Sequence, residues 1–190
     1  MKTTSLIFAV IMVLGGNSPV RADVIEFRDA SLWSGAVAGS TLINDTFSND
    51  IASAPSITFD SGVVSANSGG VFCCGDNGVS AGEYRNALGE PGSTASLLNT
   101  WIFPEPIFAL AFSIRGAAQN GLEIVLDGES FRIENSTGQV PEFFGYTSTS
   151  AISDVSFRNP GRTVLFHIDE ITFASAPVSS VPLPGLHWLV

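Results

Sequence analysis

The residues able to do chemistry in this 190-residue chain fall in three places. The first is Cys73-Cys74, its only two cysteines, inside the glycine-rich run Asn67 to Gly92. Neighbouring Cα atoms lie about 3.8 Å apart across a trans peptide, less than the roughly 4.4–6.8 Å usual for a disulfide. A vicinal disulfide here closes a strained ring. Two free thiols, or a bond to another chain, are the alternatives, and all three stay open. Zinc ligation by the pair is not expected, because no histidine stands nearby to complete a site. Asp76, Asn77, Glu83 and Asn86 surround the pair but lack the spacing of a calcium loop, so they read as solvated loop.

The second place is His167-Ile168-Asp169-Glu170. His167 alternates against Phe166 and Ile168, so an outward or hydrogen-bonded strand histidine is expected, not the base of a Ser-His-Asp set. Val164, Phe166 and Ile168 share one parity, while Ile171 and Phe173 share the other. One strand buries both sets only with an extra residue, which predicts a β-bulge at Asp169-Glu170. A bulge re-aims side chains, and this makes Asp169 the candidate ligand of a structural calcium ion. No other cofactor is expected.

The third group is aromatic. Trp33, Tyr84, Trp101 and Tyr146 are the candidate platforms for carbohydrate, since a flat ring buries the apolar face of a sugar. Trp101, followed by Ile102-Phe103, reads as core; Trp33 and Tyr84 stay open. Paired carboxylates for glycoside hydrolysis must flank a cleft about 5–9.5 Å apart, whereas Asp127 and Glu129 flank a turn. The chain has no nucleophile elbow, phosphate loop or His-Glu-x-x-His helix. No catalytic residue is assigned, and the chain is read as a non-enzyme.

The composition is that of a turn-rich β protein. Hydrophobic residues make up 45% and charged residues 14%, with 19 Gly, 10 Pro and 14 Phe. Residues 1–22 read as a secretory signal peptide: Lys2, an apolar core from Leu6 to Leu14, and Val20-Arg21-Ala22 before cleavage at Asp23. Export implies an oxidising compartment. From Asp23 onward there is no lysine; six arginines and all 18 acids remain, a net charge of −12. Such a surface repels phosphate backbones, so nucleic acid is not an expected partner.

Residues 23–176 are expected to form one domain. Strands are predicted at Val24 to Arg28, Leu42 to Phe47, Ser56 to Asp60, Gly62 to Ala66 and Leu97 to Phe103, the last closed by Pro104 and Pro106. In Ile107 to Arg115, Phe108, Leu110, Phe112 and Ile114 form a large core face, and the small face of Ala109, Ala111 and Ser113 packs under a neighbouring segment. Leu122 to Glu134 is a hairpin around Asp127-Gly128, a dipeptide suited to a type I′ turn. Glu142 to Tyr146, Ile152 to Arg158 and Val164 to Phe173 complete the body, with Trp33 an anchor in the small, polar stretch Asp29 to Gly39.

Residues 177–190 form a linker and the segment Val181-Pro182-Leu183-Pro184-Gly185, followed by Leu186, Trp188, Leu189 and Val190. This tail resembles the VPLPA variant of the PEP-CTERM sorting signal, with Gly185 in the alanine position and without the membrane helix and arginine-rich end of the family. The body is also similar to PEP-CTERM proteins: Pro106-Ile107 through Phe112, Phe143-Phe144-Gly145, Ile152 to Phe157 and Asp169 to Phe173 follow the family's order of strands. The resemblance implies an all-β fold, a two-sheet antiparallel β-sandwich of jelly-roll type. It implies processing by an exosortase and a place at the cell surface or in the extracellular matrix of a Gram-negative bacterium, with membrane contact only through the helix this chain lacks. The role expected is structural or adhesive, with extracellular polysaccharide as a partner. A carbohydrate-binding module is the second reading and a glycan hydrolase the third.

Overall fold

A computed structural model describes residues 23–69, 77–89, 98–116, 122–133, 140–159 and 164–177. The leader 1–22, Cys73, Cys74 and the sorting segment Val181 to Gly185 lie outside these residues. In chain order the elements are β1 (Val24–Phe27), α1 (Ala30–Ala36), β2 (Ile43–Asp45), β3 (Ser56–Thr58), β4 (Val64–Asn67), β5 (Gly78–Ser80), β6 (Glu83–Leu88), β7 (Leu98–Arg115), β8 (Leu122–Leu126), β9 (Glu129–Ile133), β10 (Glu142–Arg158) and β11 (Val164–Ala174).

The protein is all-β and antiparallel. Hydrogen bonds join the strands into one continuous curled sheet of order β5-β6-β11-β7-β10-β8-β9, with β1 on β10, β2 on β11, and β3 on β4, which pairs with β7. The curl comes from two long strands. The first half of β7 pairs with β4 and the end of β10; its second half pairs with the start of β10 and with β11. Register shifts in β10 between Thr147 and Asp154 mark the bend.

This continuity departs from the expected break at Pro104 and Pro106. The paired positions on β7 skip from Ile102 to Ile107, and residues 104–106 are exposed. A proline costs a strand only the hydrogen bond its missing N–H would have made. Here both prolines occupy the stretch where no partner asks for one. The bend also shifts the core parity: Ile107 is fully buried with Leu110, Phe112 and Ile114, while Phe108 is only half-buried.

The core is aromatic. Trp101, Tyr84, Phe59, Phe112 and Phe157 meet mostly edge to face, with centroids 4.7–6.3 Å apart, the arrangement ring quadrupoles favour. Beside them lies a polar cluster that sequence reading assigned to loop or passed over: Ser65, Asn77, Asn86 and Asn99 are all fully buried. Asn67 and Asn86 exchange amide hydrogen bonds at 3.1 and 2.9 Å. The Tyr84 hydroxyl accepts from Asn86 Nδ2 at 2.6 Å and lies 3.2 Å from Asn99 Oδ1. Burial pushes the Tyr84 hydroxyl far above its ordinary pKa, so it stays protonated and keeps its donor.

The turn of the β8–β9 hairpin has positive φ at both Asp127 and Gly128, as the type I′ reading requires. Unforeseen is the short helix α1. Asp29 caps it, accepting from the N–H groups of Ser31 and Leu32 at 2.8 and 3.1 Å. Seven residues are too few to be helical alone; tertiary packing holds them. Trp33 is buried with Val37 on the small face of β7, Ala109 and Ala111, so that face is covered as expected. Its indole N–H donates to the Tyr146 carbonyl oxygen at 3.2 Å.

That docking needs a glycine at position 145, where a Cβ would stand 2.5 Å from Trp33 Cδ1 and 2.7 Å from Cγ. Gly145→Ala should destabilise the fold by about 1–3 kcal/mol, the cost of overpacking, read as a shifted denaturant midpoint. An unchanged midpoint would place α1 elsewhere. Tyr84→Phe removes a partner from Asn86 and from Asn99 and should cost about 1–3 kcal/mol; a neutral result in the same titration would show that the buried amides do not depend on the hydroxyl.

Candidate functional site

The predicted bulge is present. Ile168 pairs with Ile114 and Ile171 with Phe112, so three steps along β11 match two along β7. Both isoleucines are fully buried. The surplus falls where β11 exchanges one neighbour for another, β6 before the bulge and β2 after it. In a regular strand Asp169 and Glu170 would face opposite sides. With the extra residue both lie outside the core, Asp169 partly buried and Glu170 exposed.

Asp169 joins a cluster of charged side chains. His167 sits opposite Arg85 on β6 and Arg115 on β7, and Glu83 begins β6 one step beyond the Tyr84–Ile168 pair. Arg115 forms an ion pair with Glu83 Oε1 through Nη2 and a hydrogen bond from Nε at 3.1 Å. His167 Nδ1 lies 3.1 Å from Glu83 Oε2, and Arg85 Nη2 lies 3.5 Å from the same oxygen. Asp169 Oδ1 is buried and has no hydrogen-bond partner among the described residues.

The two carboxyls are driven apart in acidity. Partial burial opposes the charge on Glu83, but hydrogen bonds from Arg115 and His167 outweigh it and hold Glu83 below its ordinary pKa. The Glu83 hydrogen bond in turn raises Arg115. Burial is the main force raising Asp169, and the Glu83 charge adds to it; Arg115 and His167 only partly compensate. Opposite shifts in neighbouring carboxyls are the pattern of an acid–base pair. Here, however, the cleft described below opens beside Glu170, not beside this pair. The cluster acts as an electrostatic clamp across β6, β11 and β7.

Calcium takes about six to eight oxygen ligands. Both Glu83 oxygens already face a cationic or imidazole partner: Arg115 at one, His167 and Arg85 at the other. Among the described residues no three His, Cys, Asp or Glu side chains converge as a metal-binding group. His167 is hydrogen-bonded and partly buried in its strand, as its alternation suggested.

Burial places Trp101 in the core, as its neighbours suggested, and closes the other three candidate sugar platforms as well. Trp33 is 5% exposed, and Tyr84, Trp101 and Tyr146 are fully buried. Each packs against other rings: Trp33 on Phe143, Tyr84 on Trp101, and Tyr146 on Phe131 and Phe112. None offers an open face to a glycan. Asp127 is exposed at its turn and Glu129 half-buried. Asn77, Glu83 and Asn86, read as solvated loop, are instead in the core network or the clamp. The missed signal lay in Glu83 to Leu88, where Tyr84, Asn86 and Leu88 alternate inward behind the Ala81-Gly82 turn.

One shallow cleft of about 140 Å³ lies beside α1, with Trp33, Ser34, Ala111, Phe143, Glu170 and Thr172 around it. No helix among the described residues is long and apolar enough to cross a membrane. No protein-family model, curated protein or solved structure matches the chain.

The clamp makes stability depend on pH with opposite signs. The raised Asp169 binds its proton more tightly when folded, so its ionisation destabilises above its folded pKa and the penalty fades as pH falls toward its unfolded value. The depressed Glu83 does the reverse: its contribution is full above its unfolded pKa and is lost as pH falls through its folded one. Asp169→Asn should therefore raise the melting temperature at neutral pH, with the gain shrinking on acidification. Glu83→Gln should lower it at neutral pH, with the loss shrinking in acid. Parallel pH–melting curves for the parent and both variants would contradict the pairing.

Proposed function

We propose that the chain is an exported structural or adhesive protein of the cell surface or extracellular matrix, with a β-sandwich-like body addressed by the Val181 to Gly185 segment to an exosortase. The observation that carries the reading is where the large aromatic side chains go. All four candidate platforms are committed to the interior, so a site built by stacking a sugar on any of them is unsupported. The acidic balance of the chain from Asp23 onward, six arginines against 18 acids, suits a persistent acidic wall.

The leader fits this reading. Cleavage before Asp23 leaves β1 whole, and the Asp23 amide and carbonyl bond to Thr149 at 3.2 and 3.4 Å. The first residue expected after cleavage is thereby tied to β10. The test is to express the gene in its native host with whatever follows codon 190. Fractions are then separated, and the protein's ends are identified by mass spectrometry. The reading predicts extracellular or surface material beginning at Asp23 and processed near Pro184. Cytoplasmic protein retaining residues 1–22 would overturn it.

A further inference from the structure

The bulge that turns Asp169 toward the clamp leaves Glu170 exposed at the cleft beside α1. We propose that this cleft binds the ammonium end of a lysine side chain presented by a basic protein partner. The inference stands apart from export and sorting, since it uses only the cleft.

Size selects the kind of ligand. Pockets for whole small molecules run to roughly 300–1,000 Å³; a cleft of about 140 Å³ takes a single side chain. Its walls set the chemistry. Trp33 and Phe143 meet at an interplanar angle of 61° with centroids 6.1 Å apart, and Ala111 lies beside them. An aliphatic stem lies well along such a surface while its charged end reaches water and polar groups. Trp33 and Ala111 are buried and form the floor, so a cation gains chiefly from the quadrupole of the partly buried Phe143 ring.

The polar groups suit an ammonium. Glu170 is exposed and makes no ion pair among the described residues, and Ser34 adds a hydroxyl. The Thr172 hydroxyl gives its proton to Asn44 Oδ1 at 3.2 Å, which leaves its oxygen to accept. One carboxylate and two hydroxyl oxygens match three rotatable N–H donors on a compact charge. A guanidinium can fork onto the same carboxylate, but its broad plane suits a cleft of this size less well than a compact ammonium, which can also take the two single hydroxyl acceptors.

Within residues 23–190 there is no lysine to fill the cleft. The only lysine in the sequence is Lys2, in the predicted leader. With a net charge of −12 from Asp23 onward, the body attracts basic partners from a distance.

The test is a titration of the ¹⁵N-labelled full chain with Nα-acetyl-lysine methylamide, followed by NMR at the Trp33 indole and the Ser34 and Thr172 amides. The norleucine and arginine counterparts are run alongside. Saturable shifts with the lysine compound alone are expected, with affinity roughly tenfold weaker in Glu170→Gln and unchanged in the remote control Glu105→Gln. No saturable shift overturns the proposal, as does an equal response to norleucine or arginine. Equal affinity in Glu170→Gln and the parent, or an equal loss in Glu105→Gln, overturns it too. The free variant's Trp33 indole signal at its parent position certifies the fold.

Discussion

The extra residue in β11 is the constraint from which the outer surface follows. Ile168 and Ile171 are both needed in the core, and three positions separate them. A regular strand alternates and would expose one of the two. Burial of an isoleucine is worth about 1.5–3 kcal/mol, more than one ladder hydrogen bond contributes net. The strand therefore gives up regular pairing at Asp169-Glu170 and keeps both isoleucines inside. As a result two consecutive acids share the outer side, one against Glu83 and the other at the Trp33 cleft.

The same economy governs the two long strands. β7 and β10 each serve both halves of the curled sheet, and the bend falls where β7 carries two prolines and pairing lapses. The curl encloses an interior of rings and a small set of mutually bonded amides and hydroxyls. On the outside of β7 the alanines leave room for α1, and Gly145 leaves room for the Trp33 ring. The Phe143-Phe144-Gly145 run thus has three separate duties: Phe143 walls the cleft, Phe144 fills the core, and Gly145 admits Trp33.

Much of this was legible in the sequence because it rests on period-two alternation or on turn chemistry. The parity change at Asp169-Glu170, the Asp127-Gly128 hairpin and the small face of β7 are such features. Most of what escaped had no such signal, the alternation of Tyr84, Asn86 and Leu88 being the exception. α1 is seven residues with a single buried side chain, too short for a helical period to appear. The β5–β6 hairpin turns through Ala81, whose positive φ its residue type does not announce. Asn77, Asn86 and Asn99 are polar residues that composition does not place inside, and their hydrogen bonds to Ser65, Asn67 and Tyr84 are what satisfy them in the core. Trp33, Tyr84 and Tyr146 had the right chemistry for sugar binding, but exposure is a property of the packed chain, and packing turns them inward.

The placement of both acids rests on the register of β11, and cross-strand NMR contacts read that register directly. In the labelled protein, the Ile168 backbone should show contacts to Ile114, and the Ile171 backbone to Phe112. Both sets together require the surplus residue. Contacts from Ile171 to Ala111, continuing the register of Ile168 unbroken, would mean a regular strand, and would contradict both the clamp at Asp169 and the position of Glu170 at the cleft.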